Sequence, residues 1–425
     1  MGTLGSLFGE EGDVLYERQF QLLLSSTLLV AVGVALVSPI LETLTGPFGV
    51  SSTAIGGLVS AYVAPGIVVI PVTGLLADRY GRKPLVVWGL LLFGVAGSAI
   101  AFTTDFRVAL ALRFVQGVGW SALSPVVITA LGDLYSGARE ATAQGIRFTA
   151  VGVSQAAVPP VAGLLVVLGW QYPFLLYALA VPFGVAIWLW FEEPTSIGAA
   201  ATDGGDVTCG VGGSGQLRAL GALATRSRVL FVLLARQVPT FTWYAVLTYN
   251  SILVVQVLGG SPGVAGTLIA AASVGKAAAA TQVGRATAYF DRRVDLLLLV
   301  HVLLGLGLVV SGLASSFVWV GVGFVAIGVG LGVTMSIYRS VFTSFAPEHL
   351  RGGMVSVSET SGRVTAASTP ILMSAVVLWL EPTVGTTTAV RWTLVGAGLV
   401  GVAIALPALL VAIRSAAVSP EQTID

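Results

Sequence analysis

The residues whose types and positions could do chemistry in this chain are few, and most are ionisable groups set inside long apolar runs. Arg113, Arg147, Arg236 and Lys276 are cations in such runs, and Glu42 and Glu359 are acids within or beside them. A charge at the centre of an apolar span costs about 3 kcal/mol on insertion, so each is a candidate for ion pairing, proton carriage or ligand contact. A carboxylate there can take up and release a proton, which makes Glu42 and Glu359 candidates for coupling. The other reading of Glu42 is a solvated acid at an outer interface. Lys276 sits in a run of Ala, Ser, Val and Gly, too deep for easy snorkelling, and needs an anionic partner or the loss of its own charge.

A second concentration is GLLADRYGRKP, Gly74 to Pro84, a short link between two apolar runs. Arg79, Arg82 and Lys83 surround Asp78, and a carboxylate among cations at a membrane boundary pairs with one of them or faces a helix N-terminus. Gly74 and Gly81 allow close helix approach and a tight turn.

The elements that must position these groups are spanning helices. Of 425 residues 56% are hydrophobic and only 10% charged, with mean hydropathy +0.93, a composition that excludes a water-soluble domain. Net charge is +1 with no basic face, so no nucleic-acid partner is expected. The lone Cys209, with His301 and His349, offers no metal or catalytic constellation, so neither an enzyme nor a cofactor is expected. The N-terminal stretch is acidic, with Arg18 as its first cation, which argues against a cleavable signal peptide.

Apolar runs of about 20 residues predict twelve spans. They centre on Ala31, Val63, Leu92, Trp120, Ala156 and Val181, then on Ala245, Ala272, Gly305, Val325, Ala366 and Val402. The division is a six-helix half over 1–194, a linker over 195–228 rich in Gly, Ala and Asp, and a second six-helix half over 229–425. With both termini cytoplasmic, the inner loops and helix ends hold Arg18, Arg79, Arg82, Lys83, Arg139, Arg218, Arg226, Arg228, Arg285, Arg292, Arg293, Arg351 and Arg414, against Arg107 and Arg391 outside. That asymmetry sets the orientation and predicts a multi-pass plasma-membrane protein. The halves repeat: a shift of 210 residues lays Gly56 on Gly266, Gly74 on Gly284, Arg82 on Arg292 and Lys83 on Arg293, while Ala288 replaces Asp78.

The Gly74–Pro84 run resembles the loop between helices 2 and 3 of the major facilitator superfamily, G-x-L-A-D-R-x-G-R-K, at every specified position. RFVQGVG around Arg113 resembles that family's span-four motif, R-x-x-Q-G-x-G. Pro160 and Gly163 resemble part of its span-five antiporter motif, with Pro159 and Leu164 standing where the motif has glycines. The resemblance implies an all-α membrane fold of twelve helices in two halves related by a pseudo-two-fold axis, with a substrate site where the halves meet.

It further implies site roles. Gly74, Asp78, Arg79, Gly81, Arg82, Lys83 and Asp133 form a conformational latch, with Asp78 holding the inner end of span two against span eleven and Arg82 reaching Asp133. Arg113 joins Glu42 and Glu359 as a proton-coupling group, although Glu359 and Arg363 also stand four apart and are expected to pair on one helix face. Spans one, four, seven and ten line the cavity in relatives, which nominates Gln116, Trp120, Arg236, Trp243, Tyr244, Asn250, Tyr338 and Arg339, joined by Gln155 and Lys276. His301 is expected to pack peripherally with its ring hydrogen-bonded to a helix.

The function expected is secondary transport of a small molecule by alternating access, as proton-coupled efflux of a drug-like compound or metabolite by a monomer in the lipid bilayer. The alternatives are import of an anionic or neutral metabolite, by symport or facilitated diffusion, and a non-transporting receptor. Interior cations outnumber interior acids, which tilts the substrate towards anionic or neutral compounds.

Overall fold

A computed structural model describes residues 10–193, 214–290, 292–347 and 350–417. The Asp78 side chain, Cys209, His349 and most of the predicted linker lie outside the described residues.

Twelve helices among them are long and apolar enough to cross a membrane, and each contains one of the expected span centres. In the first half they are α1 (Arg18–Phe48), α2 (Gly57–Gly74), α3 (Arg82–Phe102), α4 (Phe106–Leu134), α5 (Gly137–Leu168) and α6 (Tyr172–Trp190). The second half has α7 (Ser227–Val257), α8 (Pro262–Thr281), α9 (Arg293–Leu313), α10 (Phe317–Ser344), α11 (Arg351–Val384) and α12 (Thr386–Arg414). Apolar side chains such as Val68, Trp88, Val167, Leu299, Val318 and Leu399 are exposed around the outside, where lipid replaces water. A short helix, Ser214–Ala224, precedes α7.

Local sequence explains several helix starts. Asp105 caps α4 by accepting from the N–H groups of Arg107, at 2.7 Å, and Val108, at 3.3 Å. Ser261 caps α8, and Pro262 takes the first turn, where a missing N–H costs nothing. Gly81 separates the helix that ends at Tyr80 from α3 with φ of 89°, a backbone that a side-chain-bearing residue rarely adopts.

Each half has its own apolar core: one cluster in the first half and two in the second. The halves meet chiefly along two helix pairs, α5 with α8 and α2 with α11, as the internal repeat requires, and the Ser38–Ile40 part of α1 also touches α7 and α8. The α5–α8 pair is close because Gly266 faces the Pro159 carbonyl, where a Cβ would come within 2.3 Å of the oxygen. The prolines of α5 therefore lie inside a continuous helix, against the neighbour from the other half.

Candidate functional site

Between the halves lies a cavity of two joined lobes. The smaller, about 290 Å³, reaches mid-membrane and is walled by Tyr62, Trp120, Arg147, Trp243, Tyr244 and Ser273. The larger, about 670 Å³, is lined by Arg236, Lys276, Ser336, Arg339, Ser358 and Glu359. Phe148, Val151, Gln155 and Arg339 line both. The larger lobe extends to Thr281, the last residue of α8, to Phe342 of α10 and to Val355 of α11. It therefore runs out to the membrane face that carries the basic loop, here called the basic end.

The opposite end is sealed by neutral hydrogen bonds between the halves. Ser251 of α7 donates to the Pro39 carbonyl at 2.9 Å and accepts from the Glu42 N–H at 3.1 Å. Ser374 of α11 donates to the Thr53 carbonyl at 2.7 Å.

Lys276 donates to Gln155 Oε1 at 2.6 Å across the halves, and its Nζ lies 5.0 Å from the centre of the Trp243 ring. It stands five residues before the end of α8, nearer the basic end than its run of small residues suggested. Arg236 pairs with Glu359 at 2.9 Å, so the expected intrahelical pair of Glu359 with Arg363 is corrected. The α7 guanidinium reaches the carboxylate first, and Arg363 turns to the Trp120 ring, 4.2 Å from its centre.

Trp120, Gln155, Arg236, Trp243, Tyr244, Lys276 and Arg339 are brought to the cavity wall. Three nominated residues are not. Gln116 is buried beside Arg113, Asn250 donates to the Ala265 carbonyl at 3.0 Å in the sealed end, and Tyr338 is buried with its hydroxyl 3.2 Å from His301 Nε2. His301 is hydrogen-bonded to a helix as expected, but it is buried between α7 and α10 instead of peripheral. Phe148, which sequence reasoning passed over, is one of the wall residues shared by both lobes; its one signal was the neighbouring Arg147.

The three nominated coupling groups lie far apart in the fold. Glu42 is at the sealed end, and its Oε2 is buried without a hydrogen-bond partner. Glu359 is on the wall of the larger lobe. Arg113 is fully buried inside the first half, donating to the Leu58 carbonyl at 3.3 Å, the Gly33 carbonyl at 3.4 Å and Gln116 Oε1 at 2.7 Å. The Tyr62 ring, 4.5 Å from the guanidinium carbon, stands between it and the smaller lobe. Arg113 thus faces backbone carbonyls of α1 and α2.

At the basic end the helix termini of the first half are laced together. Arg82 Nε donates to Asp133 Oδ2 at 3.0 Å, joining the start of α3 to the end of α4. The Glu193 carboxylate, just beyond α6, accepts from the backbone N–H of Arg82 and, at 2.8 Å, of Lys83, capping α3. Lys83 lies over Trp188, Arg79 over Tyr80, and no side chain crowds Gly74. Glu17 accepts from Tyr135 at 2.7 Å and pairs with Arg139. Burial and that carboxylate together hold the Tyr135 proton above the ordinary phenol range.

A cavity walled by both members of a twofold-related set of six-helix halves defines a polytopic membrane protein built around a central binding space. The Major Facilitator Superfamily model matches residues 23–257 and again 232–423, once for each half. The chain belongs to that family. It is 30% identical over 157 residues to the bacillibactin exporter of Bacillus subtilis, covering 35% of this chain and 39% of that one. It is 25% identical over 157 residues to the quinolone resistance protein NorA of Staphylococcus aureus, covering 37% and 40%. The matched part thus spans about four tenths of these curated relatives. Over nearly the whole fold it superposes on a bacterial homologue of the human lysosomal transporter Spinster, with TM-score 0.76 at 15% identity, covering 93% of this chain and 96% of that one. A D-xylose–proton symporter gives 0.69 at 13% identity, covering 91% and 96%.

Proposed function

We propose that the chain is a proton-coupled exporter that moves a small organic molecule out of the cytoplasm by alternating access in the plasma membrane. The observation that carries this reading is the asymmetry of the space between the halves. It is open towards the basic end, which the positive-inside rule makes cytoplasmic, and hydrogen-bonded shut at the other. Substrate enters from the inside, the two halves rock about the α5–α8 and α2–α11 contacts, and release follows when the Ser251 and Ser374 bonds part. The efflux names of the curated relatives agree with that direction, as does the partial span-five motif. One chain holds the whole cavity, in keeping with a monomer.

Glu359 is the proposed proton carrier. It is the one acid among the described lining residues, and its side chain is 47% accessible while its partner Arg236 is 6% accessible. A proton arriving there would free Arg236 and change the charge of the wall. Glu42, partly accessible at the sealed end, is the second candidate. Asp78 is the proposed latch acid that closes the basic end in the outward state, the Arg82–Asp133 bridge holds the start of α3 to the end of α4 within the first half, and Arg113 positions α1, α2 and α4.

The test is proton movement in proteoliposomes loaded with a panel of anionic, neutral and cationic compounds, comparing the native protein with Glu359→Gln and Glu42→Gln. Substrate-dependent proton flux that Glu359→Gln abolishes supports the reading. Substrate flux without proton flux, unchanged in both variants, would leave a uniporter, and uptake driven by an inward proton gradient would leave an importer.

A further inference from the structure

The charged groups on the cavity wall do not balance. Arg147, Arg236, Arg339 and Lys276 line the two lobes, and Glu359, already paired with Arg236, is the acid among the described lining residues. No carboxylate pairs with the other three among the described residues. Arg147 Nε donates to Gln144 Oε1 at 3.1 Å, and its guanidinium carbon lies 4.5 Å from the Phe148 ring centre. Arg339 lies 6.0 Å from the same ring on another side of the cavity, and Lys276 has Gln155 and Trp243. Cations gathered on one wall repel one another, and a cavity that keeps them is shaped for what neutralises them.

The surroundings also define the rest of the ligand. Where the lobes join, Arg147 and Arg339 converge on Phe148, and two guanidinium forks can grip one planar acid group bidentately. Next to this junction the smaller lobe is walled by Trp120, Trp243 and Tyr244, flat apolar faces suited to an aromatic ring. We propose that this junction is an anion site, in which Arg147 of α5, Arg339 of α10 and Lys276 of α8 receive the acid group of an aromatic organic anion whose ring lies among Trp120, Trp243 and Tyr244. The site deepens the transport reading and rests on it for its consequence. Arg147 belongs to the first half and Arg339 and Lys276 to the second, so the bound acid group removes the repulsion that holds the halves apart and lets the basic end close over it.

The experiment is binding to the purified full chain in nanodiscs, read by tryptophan fluorescence, with four probes: 2-naphthoate, its methyl ester, 2-naphthylmethylammonium and inorganic phosphate. The expected result is naphthoate binding at least about tenfold tighter than the other three. Arg339→Gln and Lys276→Met lose that preference while Arg339→Lys keeps most of it, with unchanged unfolding temperatures showing that each variant is folded. Equal binding of the ester, the ammonium or phosphate overturns the proposal, as does no naphthoate binding, or a preference that survives both charge-removing variants. Flux of the same probes across proteoliposomes separates this from the transport reading. Charge-selective binding without flux keeps the site and removes the exporter, whereas flux without preference for charge keeps the exporter and removes the site.

Discussion

Glu359 of α11 pairs with Arg236 of α7, 2.9 Å away, although Arg363 stands one turn along its own helix. The pair ties two helices of the second half together on the cavity wall and leaves Arg363 free to cover the Trp120 ring of the first half. One residue thereby fixes both a wall contact and an interface contact.

Removing the charge at Glu359 is expected to act twice. Glu359→Gln leaves the buried Arg236 without its counter-ion, but the acid is half-exposed, so the stability loss should be modest, about 1 kcal/mol. Substrate-driven proton flux should disappear, while substrate binding in nanodiscs should persist. Unfolding in detergent and a proton-sensitive dye in proteoliposomes read the two effects.

Arg113→Gln should behave in the opposite way. The lost bonds to Gly33, Leu58 and Tyr177 are buried, so about 2–4 kcal/mol of stability is expected to go, and Arg113→Lys should not rescue it because a point charge cannot serve carbonyls of two helices. Any protein that does fold should still couple protons. A folded Arg113→Gln chain with normal stability and no coupling would show that the role assigned to this residue is wrong.

The sealed end should lock. In a Cys209→Ser background, Thr53→Cys with Ser374→Cys is expected to form a disulfide under mild oxidation, because Ser374 Oγ already touches the Thr53 carbonyl at 2.7 Å. Transport should stop and return on reduction, while ligand access from the basic end continues throughout. Uninterrupted transport in the oxidised pair would mean that this end need not open.

Gly266→Leu should separate α5 from α8. A Cβ there meets the Pro159 oxygen at 2.3 Å, and backbone cannot step aside as a side chain can. A loss of about 1–3 kcal/mol is expected, together with a shift towards a state in which the halves are further apart, read as spectroscopic distances between spin labels at the basic end. Gly396→Ala on α12, with open space around it, is the control and should change neither.

Much of the architecture was legible because a bilayer leaves so few choices. Twelve apolar runs, a repeat offset and a one-sided distribution of cations lead to the twelve helices and their alternation. Side-chain partners were harder to read. Arg113 was nominated for coupling as a cation inside a span, but carbonyls of α1 and α2 satisfy it as well as water would. Helical spacing paired Glu359 with Arg363, and a guanidinium from 123 residues away took its place. Glu193 was missed because it stands past the last apolar residue of α6, outside any span, while its role is to cap a helix more than a hundred residues earlier.

That last contact makes one acid group serve two ends of the first half. Glu193, just past α6, holds the first turn of α3, and the neighbouring side chain of that turn grips Asp133 at the end of α4. Three helix termini thus share a single knot, so loosening any one of its members at the basic end would be felt by all three helices at once.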